Sequence, residues 1–208
     1  MKIVTLAAIC LALTLSPLAA SDPNSAPKSD DPMAGLNLGG ESGAHSADNG
    51  KPSPFVAQFQ GHLLALDHGE PKDFDAGSLK EVKYWAFYYS ASWCGPCQAF
   101  TPQLVEFYKW FKKTHPNFEV VLVGNDGSQD KMVAYMKADS MPWPSMKYPD
   151  LDQPKVSVKK YFGPGIPDLV LTDEKGKVLS DTFRNGDYVG PGRVIDDIKK
   201  MVPRPDGN

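Results

Sequence analysis

The spacing of hydrophobic and polar residues changes several times along the chain after residue 55, and each change predicts a structural element. Weak alternation at Gly61–Leu66 predicts a short strand that leads into a turn at Asp67–Pro71. The continuous aromatic and apolar run Tyr84–Tyr89 predicts a strand buried on both faces, as in the centre of a helix-covered sheet. Phe118–Val123 predicts a second strand of the same kind.

Helical spacing follows the first buried strand. Phe100, Leu104, Phe107 and Phe111 recur at steps of four, three and four, which predicts an amphipathic helix over Cys97–Lys113 and makes these residues core. Three further helices are predicted from Met132, Val133 and Met136, over Val156–Phe162, and over Gly192–Met201. Pro102 lies inside the first helix, where a proline lacks the amide donor and is expected to kink it.

The end of the chain adds a predicted hairpin. Strands at Asp168–Thr172 and Lys177–Phe183 flank the turn residues Asp173–Gly176, and a rigid loop is predicted at Met141–Pro144. The order strand, helix, strand, helix, strand, strand, helix favours an α/β fold. We expect a three-layer α/β/α sandwich around a central mixed sheet, with a parallel part and an antiparallel hairpin.

The N-terminus has the three regions of a secretory signal. Lys2 precedes an apolar run at Ile3–Leu15, and small residues follow up to Ala20. The run of about 13 residues is short for a bilayer span, which takes roughly 20. We therefore expect a signal peptide at residues 1–20 that is cleaved, with retention as an anchor as the alternative. Cys10 would leave with it, since the bulky Ile9 argues against lipidation.

Residues 21–54 predict a disordered linker. Sixteen of these 34 residues are Pro, Gly or Ser and none is aromatic, so the segment cannot bury enough apolar surface to offset the entropy of ordering it. His45 stands alone there and is expected to be inert. One folded domain is predicted over residues 55–203, followed by a flexible tail at residues 204–208.

Composition and charge narrow the function classes. The formal net charge of −3 and the pI near 5.8 argue against a nucleic-acid-binding protein. Three cysteines are too few for a disulfide scaffold. Without Cys10, the mature chain keeps one pair, Cys94 and Cys97, at the end of the first buried strand.

The segment Trp93–Cys97 reads Trp-Cys-Gly-Pro-Cys, a redox arrangement at a predicted helix start. Helix amides and the helix dipole would stabilise a Cys94 thiolate, which makes Cys94 the candidate nucleophile. Cys97, one turn later, is placed to resolve a mixed disulfide. Gly95 permits a tight turn and Pro96 fits the first helical turn, while Trp93 is expected to pack beside the site and shield it.

Two other uses of the pair remain possible on sequence grounds. A structural zinc site usually needs four ligands, and the chain has no second cysteine pair and no histidines at ligand-like spacing, so no metal is expected. A purely structural disulfide that closes so short a loop would stabilise the fold little.

With these residues the chain resembles the thioredoxin superfamily over about Phe55 to Val202. The resemblance implies that Pro167 is cis and faces the disulfide, that the Ile166 backbone pairs with an extended substrate, and that Pro102 is the helix-kinking proline of the family. A cis X-Pro bond is a minority state that persists only where the fold enforces it. The general plan and the signal are similar to those of bacterial envelope thioredoxin-like proteins.

Within the superfamily the chain is most similar to tryparedoxin and nucleoredoxin. Tyr88–Cys94 resembles their strand-to-site segment and Met141–Trp143 their second signature, although Gly95 stands where tryparedoxins have a second proline. Trp143 is a candidate for the substrate groove, with a packed loop anchor as the equally good interpretation.

Tyr88 stands where thioredoxins bury an aspartate that assists deprotonation of the resolving cysteine. Asp168, beside Pro167, is a speculative substitute and a second groove candidate. An exposed strand-end charge is the favoured interpretation of Asp168, since most aspartates stay in solvent.

We therefore expect a secreted or periplasmic thiol–disulfide oxidoreductase that reduces protein disulfides, acts as a monomer and needs no bound cofactor. No nucleotide-binding glycine motif is present, so the electrons must come from a partner reductase or a membrane donor. The alternatives are a disulfide oxidase or isomerase for secreted proteins and a copper chaperone that uses the two sulfurs as soft ligands. A peroxidase is less favoured because no peroxidatic cysteine motif is present.

Overall fold

The structure, a computed structural model, describes residues 51–205. Seven strands form one mixed sheet in the order β2-β1-β5-β4-β3-β6-β7, and helices cover it, so the predicted three-layer α/β fold is confirmed. The strands of this sheet are β1 (Leu63–Asp67), β2 (Glu70–Asp73), β3 (Tyr84–Ser90), β4 (Phe118–Gly124), β5 (Ser145–Met146), β6 (Asp168–Asp173) and β7 (Val178–Asp181). A separate two-stranded sheet contains β8 (Phe183–Arg184) and β9 (Asp187–Tyr188). The helices are α1 (Pro54–Ala57), α2 (Gly95–Phe111), α3 (Gln129–Ala138) and α4 (Pro191–Met201).

Strand β3 is the centre of the sheet, as the run of apolar and aromatic residues predicts. It pairs in parallel with β4 and antiparallel with β6, and only its first residue is partly exposed. Successive side chains of a strand point to opposite faces of the sheet. Tyr88 accordingly joins the core under α2 and α4, and Tyr89 joins the core on the other face.

Helix α2 carries the predicted apolar stripe. Phe100, Leu104, Phe107 and Phe111 are all buried and belong to one core cluster with β3 and β4. Burying each such side chain stabilises the fold by about 2–3 kcal/mol, so the stripe fixes the helix on the sheet. The helix continues past Pro102 for another nine residues.

Four short strands were not predicted from the sequence. β2 begins within the predicted Asp67–Pro71 turn and extends beyond it, β5 follows the predicted Met141–Pro144 loop, and β8 and β9 form a hairpin after β7. The helix predicted at Val156–Phe162 is wrong, because only a 3-10 turn at Lys159–Tyr161 forms there. A 3-10 turn has weaker hydrogen-bond geometry than an α-helix and rarely extends beyond three or four residues.

Residues 1–50 and 206–208 lie outside the described part of the chain. The predicted signal peptide at residues 1–20, Cys10, most of the predicted linker with His45, and the end of the predicted tail fall there. The last linker residues are described: Ser53 caps α1, and its hydroxyl accepts from the Val56 amide. Between residues 51 and 205, no helix has both the length and the hydrophobicity that a membrane crossing requires.

Candidate active site

The two cysteines lie where the central strand passes into a helix. Cys94 is the N-cap residue of α2, Pro96 lies in the first turn, and a disulfide joins Cys94 to Cys97. The backbone amide of Cys97 lies 3.2 Å from Sγ of Cys94 and points toward it. An amide and a helix N-terminus aimed at Sγ stabilise a thiolate, so this geometry favours ionisation of Cys94 in the reduced protein.

The two sulfurs differ in access. Cys97 is fully buried, whereas Cys94 keeps 6% of its surface exposed and is flanked by the exposed Gly95 and Pro96. A disulfide partner can therefore reach Cys94 first. Cys97 is then in position to attack Cys94 from inside the protein.

The segment before β6 lies against the disulfide. The peptide bond between Ile166 and Pro167 is cis, which is the isomer that the resemblance implies. Its carbonyl oxygen, on Ile166, lies 3.8 Å from Sγ of Cys94, and the Ile166 side chain packs against Ala91 and both cysteines. Pro167 is buried and Ile166 is partly exposed, so the Ile166 backbone borders the approach to Cys94.

The segment between β3 and α2 is held by the loop after β4. The Ser92 amide donates to Asp126 Oδ1 at 2.7 Å, and the Trp93 indole donates to the Asn125 carbonyl at 3.1 Å. Trp93 lies beside the site, as expected, with 67% of its own surface exposed. The indole is held beside the site by its hydrogen bond and leaves a large apolar surface free next to Cys94.

A buried network of hydroxyl groups lies behind Cys97, on the α2 side of the sheet. Thr101 Oγ1 donates to the Cys97 carbonyl at 2.9 Å and lies 2.8 Å from the Tyr88 hydroxyl and 2.7 Å from that of Tyr135. Ser90 Oγ lies 2.9 Å from the same Tyr135 hydroxyl. One hydroxyl donates once and accepts twice, so Thr101 satisfies three partners.

This network replaces the buried acid that the resemblance implies at the position of Tyr88. Burial, followed by the neighbouring Tyr135, raises the pKa of Tyr88 above its ordinary range. Tyr88 is therefore a neutral hydrogen-bond donor at physiological pH. It positions the turn that carries Cys97 and does not serve as a base.

Asp168 is fully buried, so its favoured interpretation as an exposed strand-end charge is wrong. Its Oδ2 accepts from the Gly163 amide at 2.8 Å, and Oδ1 has no partner among the described residues. Burial raises the pKa of Asp168 to about 7, and the nearby Asp181 carboxylate adds to the shift. In the register with β3 Asp168 pairs with Tyr89, so its side chain lies on the face of the sheet opposite the Tyr88 network.

Trp143 is fully buried, so it cannot border a substrate groove. Its ring meets that of Tyr108 edge to face at a centroid distance of 5.4 Å, within the core under α2. The alternative interpretation, a packed loop anchor, is the one the structure shows.

A groove that the sequence did not indicate opens between the start of α2 and helix α3. It has a volume of about 460 Å³ and is lined by residues of the Cys94 segment and of α3: Ser92, Gln98, Lys131, Ala134, Tyr135, Ala138 and Asp139. These residues form no motif along the chain, because the two segments that carry them are distant in sequence and come together only in the folded protein. Tyr135 joins this groove to the hydroxyl network.

No cluster of three or more His, Cys, Asp or Glu side chains suited to a metal ion occurs within residues 51–205.

Comparison with known proteins agrees with this geometry. A family model described as Thioredoxin-like matches residues 81–178. Nucleoredoxin from Xenopus laevis is 33% identical over 129 residues, which cover 62% of this chain and 30% of that protein. The solved structure of tryparedoxin II from Crithidia fasciculata is 30% identical with a TM-score of 0.55, and the match covers 74% of this chain and 94% of that one.

Tryparedoxin I from Leishmania major is similar at 31% identity and a TM-score of 0.52, over 70% of this chain and 93% of its own. The chain spans less than a third of the length of the nucleoredoxin it matches. The likeness to the tryparedoxins, in contrast, covers nearly the whole of those proteins.

Proposed function

Because this chain belongs to the thioredoxin-like family, we propose that it is a thiol–disulfide oxidoreductase that reduces protein disulfides through Cys94 and Cys97. The observation that supports this most directly is the placement of the Cys94–Cys97 disulfide. It lies at the start of α2, with the more accessible sulfur at the N-cap and the cis Ile166–Pro167 bond against it.

The proposed cycle starts from the dithiol. The Cys94 thiolate attacks one sulfur of a substrate disulfide, a Cys94–substrate bond forms, and the first substrate sulfur leaves as a thiolate that takes up a proton. Cys97 loses its proton and attacks Cys94 Sγ, which releases the second substrate sulfur as a thiol. Two electrons have then passed to the substrate, and the protein holds the Cys94–Cys97 disulfide seen in the structure.

A dithiol donor must return the pair to the reduced state. We assign this role to a partner reductase or a membrane electron donor, since the chain has no nucleotide-binding glycine motif. The proposed location is the periplasm or the exterior of the cell, on the basis of the predicted signal peptide at residues 1–20. We further propose that the protein acts as a monomer.

The test of the chemistry is a trap. In Cys97→Ser the resolving step is removed, so mixed disulfides between Cys94 and substrates should accumulate and be released by dithiothreitol. The double variant Cys94→Ser/Cys97→Ser is the matched control and should capture nothing. Equal recovery of partners from both variants, or from neither, would contradict the proposal.

The direction of the reaction is tested by the reduction potential of the pair. A reductant should have a potential near −270 mV, whereas a value around −120 mV would identify an oxidant. Reshuffling of scrambled ribonuclease separates an isomerase from both, because a simple reductant opens the disulfides without restoring activity.

A further inference from the structure

The segment that faces the disulfide is a short loop closed by one hydrogen bond. Residues 163–167 connect the 3-10 turn at Lys159–Tyr161 to β6 and end in the cis Ile166–Pro167 bond. Asp168 follows at once, and its Oδ2 accepts from the Gly163 amide at 2.8 Å. The carboxyl group therefore joins the two ends of the loop that presents Ile166 to Cys94.

The same carboxyl group lies in a place that does not suit a charge. Asp168 is fully buried, and Oδ1 has no hydrogen-bond partner among residues 51–205. The titratable groups that face it are Asp181 at the end of β7, Tyr89 on β3 and Tyr188 on β9. No Lys, Arg or His of the described residues forms an ion pair with Asp168.

The neutral form fits these surroundings. Oδ2 of a neutral carboxyl still accepts from Gly163, while Oδ1 can carry the proton and donate it toward the Asp181 carboxylate. The Thr182 hydroxyl also faces the carboxyl group and favours its charged form, but it donates to the Leu169 carbonyl at 3.1 Å. Loss of the proton therefore leaves Oδ1 charged and buried without a donor of its own and with a second carboxylate facing it, which is strongly unfavourable. The carboxylate can gain donors by turning toward water, which breaks its bond to Gly163.

We propose that Asp168 is a positioning residue whose neutral form holds the 163–167 loop in the shape that receives a disulfide substrate, so that substrate affinity falls when the carboxyl loses its proton. This inference rests on the proposed function for its substrate, but the loop itself can be tested without turnover. The pKa of Asp168, raised to about 7 by burial and by Asp181, places the change in the neutral range.

The loop has little freedom to adjust in other ways. A Cβ atom on Gly163 would lie 2.5 Å from Cδ2 of Phe183 and 3.1 Å from Oδ2 of Asp168, so the glycine is packed between the β8–β9 hairpin and the carboxyl group. A movement of the Asp168 side chain should therefore displace the backbone at Gly163, at the start of the loop.

The first experiment measures insulin reduction by the full chain with dithiothreitol as donor from pH 5.5 to 8.5. For the wild type, KM for insulin should rise by about threefold or more across pH 7, because the fraction of molecules with a competent loop falls. Asp168→Asn can accept from Gly163 and donate to Asp181 at every pH, so its KM should stay at the low-pH value. Ionisation of Cys94 in the free enzyme changes kcat/KM in both proteins alike, so the difference between the two KM profiles is what reports Asp168.

Two further variants sharpen this result. Asp181→Asn removes the facing charge but keeps the acceptor for the Phe183 amide, so the midpoint of the KM change should move to lower pH. Asp187→Asn removes an exposed carboxylate from the adjoining hairpin and should behave like the wild type. A wild-type rise of KM in Asp168→Asn, or an unmoved midpoint in Asp181→Asn, overturns the inference.

A second readout does not depend on activity. In the oxidised protein, amide exchange at Gly163 should accelerate above pH 7 beyond that of other turn amides, in step with the NMR titration of the Asp168 carboxyl, and Asp168→Asn should abolish the excess. If insulin is not reduced but this exchange follows Asp168, the proposed function fails and the loop inference stands. If insulin is reduced but the amide exchange rate of Gly163 does not follow the titration of Asp168, only the loop inference fails.

Discussion

Single buried groups set the electrostatics of the loop that faces the disulfide, and Asp168 shows this most clearly. Its pKa is raised to about 7 from an ordinary value near 3.8. A group with a raised pKa in the folded state binds a proton on folding between these two values. The free energy of unfolding therefore decreases as the pH rises from about 4 to 7, because the folded state must give up this proton, and it falls no further on this account above pH 7.

Replacement of Asp168 by asparagine should remove this cost. We expect Asp168→Asn to be more stable than the wild type at pH 8, by an amount on the order of 4 kcal/mol, since the pKa shift is about three units and each unit corresponds to about 1.4 kcal/mol. The advantage should shrink as the pH falls through 7 toward 4. Urea unfolding at pH 5 and pH 8 measures it, and an advantage of equal size at both values would contradict the linkage.

Thr101 is the central member of the hydroxyl network, because it contacts the Cys97 carbonyl and the hydroxyls of Tyr88 and Tyr135. Thr101→Val keeps the shape and leaves buried polar groups without partners, so we expect a loss of about 1–3 kcal/mol of unfolding free energy. Thr114→Val is the control: it lies at an exposed position after α2, where its hydroxyl contacts the Phe111 carbonyl and the His115 ring, and it should cost less, about 0.5–1 kcal/mol. Equal losses of unfolding free energy in the two variants would show that the hydroxyl network adds no special stability.

At the scale of elements, the loop before β6 depends on its fit against the β8–β9 hairpin. Gly163→Ala would place a Cβ 2.5 Å from the Phe183 ring, and overpacking of this kind costs about 1–3 kcal/mol. At Gly165 the same atom would lie 3.9 Å from that ring, an ordinary contact. We therefore expect Gly163→Ala to lower the thermal midpoint clearly and Gly165→Ala to leave it near the wild-type value. The reverse order would show that the hairpin does not support the loop.

The elements that could be predicted from the sequence are those whose own residues determine them. The apolar run of β3 and the regular spacing in α2 depend on local pattern, and both formed within a few residues of the predicted bounds. β5 has two residues and exists because it pairs with β1 and β4, which no local pattern indicates. The burial of Asp168 likewise depends on β8 and β9, which fold over it from further along the chain.

The same distinction applies to the site. The two cysteines could be assigned from their spacing, because a Cys-x-x-Cys pair after a buried strand has few other uses. For Trp143 a groove position and a packed loop anchor were equally good interpretations of the sequence, and only the structure shows that it is buried while Trp93 is 67% exposed. A tryptophan has both a large apolar surface and a polar N–H, so its sequence neighbours do not decide which environment it takes.

For the whole molecule, the proposed chemistry and the proposed location together require an electron donor, since a reductant outside the cytoplasm needs electrons delivered across a membrane. Lys2, the apolar run Ile3–Leu15 and the small residues up to Ala20 are the features that a secretion machinery recognises. If the full chain is expressed in a bacterium, we expect a periplasmic protein whose N-terminus lies within a few residues of Ser21. Mass spectrometry of the periplasmic fraction measures this end.

A charge in the apolar run should block this processing, because insertion of an arginine at the centre of such a segment costs about 2.5–3.5 kcal/mol. Leu11→Arg should therefore leave the chain in the cytoplasm at its full mass, while Ser25→Arg, beyond the predicted cleavage point, should be exported like the wild type. Export of Leu11→Arg, or a periplasmic wild type that keeps residues 1–20, would contradict a cleaved signal. In the second case the segment would act as an anchor, and the reductase would work at the membrane surface beside its electron donor.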